Sequence, residues 1–174
     1  AAADVLRDAG VAGFTPAAVA KKAGLARSSM YQYYPSTDAL LGAAITTMLE
    51  RSRDRMVAAV NSADTPTERV TAYIRAAIAD ARDGHGVTPD IAGVAMPDVC
   101  REGVRVLHAE LLEPLRSALV DAGVPDPMTV AQLVQGLVNA AVSAVAHGAS
   151  MDRVGPATID LVLRGVGLLT PAGS

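Results

Sequence analysis

Cysteine, histidine and aromatic residues are rare in this sequence, and their rarity excludes several kinds of site. Tryptophan is absent, aromatic residues make up 3% of the chain, and Cys100 is its single cysteine. One cysteine excludes an intrachain disulfide and a cysteine-based zinc site. The three histidines are scattered along the chain, so we expect neither a metal nor a cofactor.

Motifs that carry catalysis are also missing. The chain shows no nucleophile elbow, phosphate-binding loop, dinucleotide fingerprint or paired-carboxylate set. An enzyme would need an active site without any such motif, so we expect a protein that is not an enzyme. No signal peptide is visible, which favours a soluble, cytoplasmic protein.

Strand patterns are missing as well, because no long alternation of polar and apolar residues occurs. Hydrophobic residues make up 51% of the 174 residues and charged residues 19%, which is ample material for a folded core. Apolar residues recur at helical spacing instead. The sequence therefore predicts an all-α fold.

Residues 15–41 carry the most specific pattern in the chain. Thr15 is suited to cap a helix that begins at Pro16, and Gly24 is suited to the left-handed position that ends it. A second short helix follows the turn at once, and a third begins near residue 37. This order predicts a helix-turn-helix.

The second of these short helices has a polar outer face. Met30 and Tyr34 are four residues apart and should point inward. The other side chains offer hydroxyls, an amide, a guanidinium and phenols, but no acid, which suits the major groove of duplex DNA. The predicted outward residues are Arg27, Ser28, Ser29, Gln32 and Tyr33.

The same stretch resembles the N-terminal domain of TetR-type transcriptional regulators. The resemblance rests on Ala23-Gly24-Leu25 at the turn, on the tyrosine cluster and on the Pro35-Ser36 step, all in register. It implies double-stranded operator DNA as a partner. It further implies that Arg27, Ser28, Ser29 and Gln32 reach base edges, and that Thr15, Tyr31, Tyr33 and Thr37 hold phosphates.

Three positions depart from the family's pattern. Ala26 stands where a capping Ser or Thr is usual, Ser28 replaces a frequent glycine, and Thr37 replaces a frequent lysine. The last departure removes a positive charge that would hold a phosphate.

Charge is unevenly distributed along the chain. The net charge is −3, but residues 1–55 hold seven Lys or Arg and five acids, a balance of +2 that leaves −5 for the rest. A mildly basic end on an acidic body fits a DNA-facing domain.

The predicted domains share one long helix, which should run from about Ser36 or Thr37 to about Ser62. We place the boundary inside it. Residues 1–47 are then a three-helix helix-turn-helix domain, and residues 48–174 an α-helical ligand-binding and dimerisation domain.

Capping patterns mark further helices in the second domain. Thr65 to Glu68 forms a capping box with proline at the first helical position, and Asp126-Pro127 repeats the cap-plus-proline arrangement. Pro114 lies inside a helical pattern and should kink or split that helix.

The stretch from Pro127 to Met151 contains no Asp, Glu, Lys or Arg. It is long enough for a membrane span, but a polar stripe disfavours contact with lipid. The stripe consists of Gln132, Gln135, Asn139 and Ser143. The helices at about 127–148 and 156–169 both have more apolar surface than a monomer would bury. We therefore predict a homodimer with a four-helix interface built from these two helices of each copy.

The resemblance also implies an effector cavity in the second domain. Its available lining is mostly Val, Leu, Ala and Met, which suits a small hydrophobic effector. The predicted ligand contacts are Tyr73, Met96, His108, Gln135 and Asn139. Three of these residues also have a competing interpretation. His108 would then be a core histidine that hydrogen-bonds to a neighbour, and Gln135 and Asn139 would be amides that pack between helices.

These features favour a repressor that is released from its operator by a small hydrophobic effector. Two alternatives remain. One is a DNA-binding dimer with a filled core and no ligand, which the absence of a cavity of about 300 Å³ would favour. The other is an adaptor or enzyme that kept the fold without DNA binding. In that case, replacing Arg27 and Gln32 by alanine would leave the protein's function unchanged.

Overall fold

The computed structural model describes residues 1–83 and 98–168, without the side chains of residues 99, 100, 108 and 146. In these ranges the secondary structure is entirely helical, which confirms the predicted all-α class. The helices are α1 (Ala2–Gly13), α2 (Pro16–Ala23), α3 (Arg27–Tyr33), α4 (Thr37–Asn61), α5 (Pro66–Arg82), α6 (Asp98–Asp121), α7 (Pro127–Ala146) and α8 (Met151–Gly165).

The chain divides into two compact units. Among the described residues, the first unit holds 1–52 and 98–109, and the second holds 53–83 and 110–168. The predicted domain boundary next to residue 47 stays a prediction.

The first unit begins with the three short helices. Gly10 has a φ of 64° and interrupts α1. Phe14 is buried, as expected for the core of a small helical domain. The Ser36 hydroxyl accepts a hydrogen bond of 3.1 Å from the Ala39 N–H and so caps α4.

Helix α4 buries one of its faces. Its buried residues in this unit include Leu40, Leu41, Ala44, Ile45, Met48 and Leu49. On α2, Val19 and Ala20 are buried. Ala23 is exposed, because α2 ends at this residue and the chain turns away.

The second unit is organised around α5, α7 and α8, which contact one another pairwise. The ends of α4 and α6 complete its core. The core residues are Met56, Val60, Val70, Tyr73, Ile74, Ile78, Leu115, Ala118, Leu119, Val124, Ala131, Val134, Val138, Ala141, Val162 and Leu163.

The predicted caps of this unit are present. Thr65 Oγ accepts a hydrogen bond of 3.2 Å from the Glu68 N–H, and the Glu68 carboxylate accepts one of 3.0 Å from the Thr65 N–H. The Asp126 carboxylate accepts one of 3.3 Å from the Thr129 N–H.

Two helix bounds differ from the prediction. Pro114 was predicted to kink or split its helix; α6 runs through Pro114 without a break, so the split is wrong and the kink stays a prediction. Burial of Leu115 and Leu119, which follow the proline, holds the helix together despite the missing N–H. Helix α8 begins at Met151 rather than at Pro156, because Met151 packs against the core and extends the ordered turn.

The charge-free helix α7 is long and apolar enough, over Pro127–Val145, to cross a membrane by length and composition alone. A single such helix is weak evidence for a membrane protein. Of that segment, 22% is buried within the chain.

Candidate nucleic-acid interface and buried polar network

The turn between α2 and α3 is built by backbone hydrogen bonds. Gly24 adopts a left-handed φ of 70°, and its N–H donates to the carbonyls at the end of α2. The Leu25 N–H donates to the Ala20 carbonyl at 2.9 Å. The chain is thereby redirected within three residues, which fixes where α3 begins.

Helix α3 is anchored by one buried side chain, Met30. Tyr34 follows the helix, is half-buried, and donates its N–H to the Met30 carbonyl at 2.9 Å. An α-helix with its side chains is about 10–12 Å across, which matches the width of the DNA major groove, about 12 Å.

The rest of α3 faces outward. Arg27, Ser28 and Gln32 are exposed and Ser29 is half-buried. Tyr31 is 49% exposed and Tyr33 70% exposed, which is unusual for large aromatic side chains. Exposed phenols beside an amide and hydroxyls can donate to phosphates and base edges.

Electrostatics single out Arg27 on this face. It makes no hydrogen bond or ion pair with any described residue. Lys22, by contrast, donates to the Asp8 carboxylate at 2.7 Å. Lys22, and then Arg7, hold the pKa of Asp8 below its ordinary value. The positive charge of Lys22 is therefore balanced within the protein, and that of Arg27 remains available to an anionic partner.

Thr15 and Thr37 lie at the N-termini of α2 and α4 and are both exposed. Thr15 Oγ accepts the Ala18 N–H at 3.1 Å, which leaves its hydroxyl hydrogen available as a donor. Helix N-termini favour phosphate because their backbone N–H groups and dipole point at the anion.

A second polar group lies inside the other unit. Tyr73 on α5 is 1% exposed, and its hydroxyl lies 3.1 Å from both the Leu111 carbonyl and Gln135 Oε1. Gln135 Nε2 donates to Asn139 Oδ1 at 3.0 Å. Burial raises the pKa of the Tyr73 phenol, so the phenol stays protonated and donates.

The structure brings together three of the five residues predicted to contact a ligand. The side chain of His108 and the whole of Met96 lie outside the described residues. Tyr73 bonds to Gln135 and Gln135 bonds to the exposed Asn139, so the Tyr73 hydroxyl and the Gln135 amide have partners without a ligand. Their role in ligand binding stays a prediction.

A separate groove lies between α5 and α8, with a volume of about 490 Å³. Its apolar lining includes Ile78, Met151, Pro156, Ile159 and Leu163. The predicted ligand contacts are not part of its lining. Sequence reasoning missed this groove because its two walls are about seventy residues apart in the chain, and periodicity describes only one helix at a time.

The first 44 residues match the family model for bacterial regulatory proteins of the tetR family. The HTH-type transcriptional regulator BetI from Rhizobium meliloti (strain 1021) is 40% identical over 75 residues, which is 43% of this chain and 37% of that protein. The match thus spans less than half of either chain.

Solved structures resemble nearly the whole chain. One is the transcriptional regulator FadR from Bacillus subtilis in complex with stearoyl-CoA, with a TM-score of 0.72, 15% identity and 95% of each chain covered. Another is the TetR-family regulator PfmR from Thermus thermophilus, with a TM-score of 0.67, 18% identity and 94% of each chain covered. At these identities the likeness shows the fold. With the family-model match, it confirms the resemblance to TetR-type helix-turn-helix regulators.

Proposed function

We propose that this protein is a sequence-specific DNA-binding regulator of transcription, a homodimeric repressor that a small hydrophobic effector releases from its operator. The observation that carries the proposal is the acid-free, exposed outer face of α3, on which Arg27 has no partner among the residues that the structure describes. Two copies would place two such helices in successive major grooves about 34–36 Å apart.

The proposed roles on the DNA come from the resemblance to TetR-type regulators. Arg27, Ser28, Ser29 and Gln32 read base edges, and the hydroxyls of Thr15, Tyr31, Tyr33 and Thr37 hold phosphates. Phosphate contacts set the register and base contacts set the sequence preference.

The apolar surface of α7 and α8 supports the homodimer. Leu133 is 64% exposed and Leu161 57% exposed, and Gly136 and Ala140 are exposed on α7. Small residues allow a second helix to approach closely, and large aliphatic side chains supply area to bury. A twofold pairing of these helices would cover this surface on both copies.

Effector control is supported by the groove of about 490 Å³ between α5 and α8. This volume exceeds the lower size of ligand sites, about 300 Å³, which favours a ligand-responsive protein over a dimer with a filled core. The structurally similar FadR was solved with stearoyl-CoA. An effector that prefers one conformation shifts the population towards it by as much as its differential affinity allows.

The DNA-binding proposal is tested by titrating the purified protein against its own upstream intergenic DNA at two salt concentrations. We expect binding as a dimer that weakens steeply with salt. Replacing Arg27 and Gln32 by alanine should abolish sequence preference, whereas Arg105→Ala, which removes a 73%-exposed arginine from α6, should change little.

Unchanged binding in the Arg27→Ala, Gln32→Ala variant would contradict the assignment of α3 as the reader. No binding by the unmodified protein would favour the alternative of an adaptor or enzyme with this fold.

Dimerisation is tested separately with Leu133→Glu and sedimentation analysis. A charge at this exposed position should shift the protein to monomers and weaken operator binding, while the helical content stays the same. A variant that remains a dimer would contradict the proposed interface.

A further inference from the structure

The groove between α5 and α8 has one apolar floor and charged edges. On α5 it is lined by Arg75, Ile78, Ala79 and Arg82, which are three or four residues apart and share one helix face. That face covers the eight residues from 75 to 82, so the groove extends about 10 Å along α5. This is the shape of a site for a narrow apolar chain.

Three of the four charged residues at the groove have nearby compensation. Arg82 donates to the Asp83 carboxylate at 2.7 Å. Asp160 accepts from Arg164 at 2.8 Å. Asp152 lies in the first turn of α8, where the positive end of the helix dipole stabilises a carboxylate.

Arg75 is the exception. It lies in the middle of α5, far from either helix end, and makes no hydrogen bond or ion pair with any described residue. A guanidinium offers parallel N–H donors that match the two oxygens of a carboxylate. The groove therefore combines an apolar floor with one arginine that has no hydrogen-bond or ion-pair partner in the described part of the chain.

We propose that this groove binds a hydrophobic carboxylate, with its two oxygens on the Arg75 guanidinium and its chain on Ile78, Met151 and Ile159. The inference rests on the proposed function, because it names the chemical class and the site of the effector. It concerns a different place from the Tyr73 network.

Gly155 provides a way to close the groove. It lines the groove on α8, and a Cβ built there meets nothing within 4 Å. The first atom of a larger side chain therefore has room at this position, and we expect a leucine there to occupy part of the groove. Gly103 on α6 also has open space around a Cβ and is absent from the groove's lining, so Gly103→Leu is a matched control.

The test is calorimetric titration of the full chain with decanoate at neutral pH, beside decanol and decyltrimethylammonium. We expect decanoate to bind the unmodified protein better than either comparison ligand. Arg75→Gln should weaken decanoate binding about ten- to a hundredfold, as loss of a charge-assisted bond predicts, and leave decanol unchanged. Arg75→Lys should retain part of the affinity.

The control for charge is Arg153→Gln. Arg153 is also exposed and also has no partner among the described residues, but it lies outside the lining of the groove. It should bind decanoate like the unmodified protein. Gly155→Leu should abolish binding and Gly103→Leu should not, with circular dichroism showing that all variants stay folded. Should Gly155→Leu not fold, the surface change Arg75→Gln still decides the matter.

Equal decanoate affinity in Arg75→Gln and the unmodified protein, or no decanoate binding at all, would overturn the inference. Decanoate that binds through Arg75 but leaves operator affinity unchanged would overturn the effector role. Failure of the ligand-free protein to bind operator DNA would instead contradict the proposed function, with the decanoate result standing by itself.

Discussion

The hydroxyl of Tyr73 connects three helices of the second unit, so its removal is the most direct test of that packing. Tyr73→Phe keeps the ring in the core and deletes the donor that faces the Leu111 carbonyl and Gln135 Oε1, both at 3.1 Å. The Leu111 carbonyl lies on α6 and Gln135 lies on α7, so the hydroxyl of this α5 residue links α5 to both helices.

The expected cost follows from what each partner loses. A hydrogen bond contributes about 0.5–1.5 kcal/mol net, and a buried partner left unsatisfied costs about 1–3 kcal/mol. Gln135 is half-buried and keeps its bond to Asn139, so its side-chain oxygen can accept a hydrogen bond from water instead. We therefore expect about 1.5 kcal/mol, or a decrease in Tm of about 3–6 °C for a chain of this size.

The assay is thermal unfolding of the unmodified protein, Tyr73→Phe and Tyr31→Phe, followed by circular dichroism. Tyr31 has an exposed side chain without a hydrogen bond to any described residue, so its loss should change stability by less than about 0.5 kcal/mol. Equal melting temperatures for the two variants would refute the network. A double-mutant cycle with Gln135→Leu should also show coupling of about 0.5 kcal/mol or more.

Further predictions concern single positions. Ala26 makes no side-chain cap on α3, so Ala26→Ser should stabilise the protein by about 1 kcal/mol, measured as a higher Tm. Thr37→Lys should restore a phosphate contact in each copy and steepen the log–log salt dependence of operator binding by about two for a dimer; an unchanged slope would place residue 37 away from the DNA. Hydrogen bonds with Thr65, first with its backbone N–H and second with its hydroxyl, lower the pKa of the Glu68 carboxyl from its ordinary value. Because a lowered carboxyl pKa stabilises the fold above the unfolded pKa, the stability difference between the unmodified protein and Glu68→Gln should be present at neutral pH. It should vanish as the pH falls through the lowered folded pKa, in melts repeated across pH.

Predictions from the sequence succeeded where the cause lies within a few residues. Thr15, Thr65 and Asp126 each cap the helix that follows, because a side-chain oxygen reaches an N–H three residues on. Gly24 ends α2 by a backbone conformation that side chains disfavour. The polar face of α3 was readable for the same reason, since one turn of helix decides which side chains oppose Met30.

Predictions went wrong where distant residues compete with a local rule. Pro114 was expected to be able to split α6, but Leu115 and Leu119 are buried against other helices and hold it together. Pro156 was expected to start α8, but the packing of Met151 moves the start of the helix towards the N-terminus. Core burial outweighs the loss of one hydrogen bond at a proline.

The sequence by itself determined the helical class, the caps and the helix-turn-helix, because helix periodicity and capping act between residues that are neighbours in the chain. Only the tertiary structure decided that Tyr73 meets Gln135, and that the face of Arg75 lies opposite that of Gly155. Those pairs are joined by helix packing across long sequence separations. No pattern within a single helix specifies which other helix will cover it.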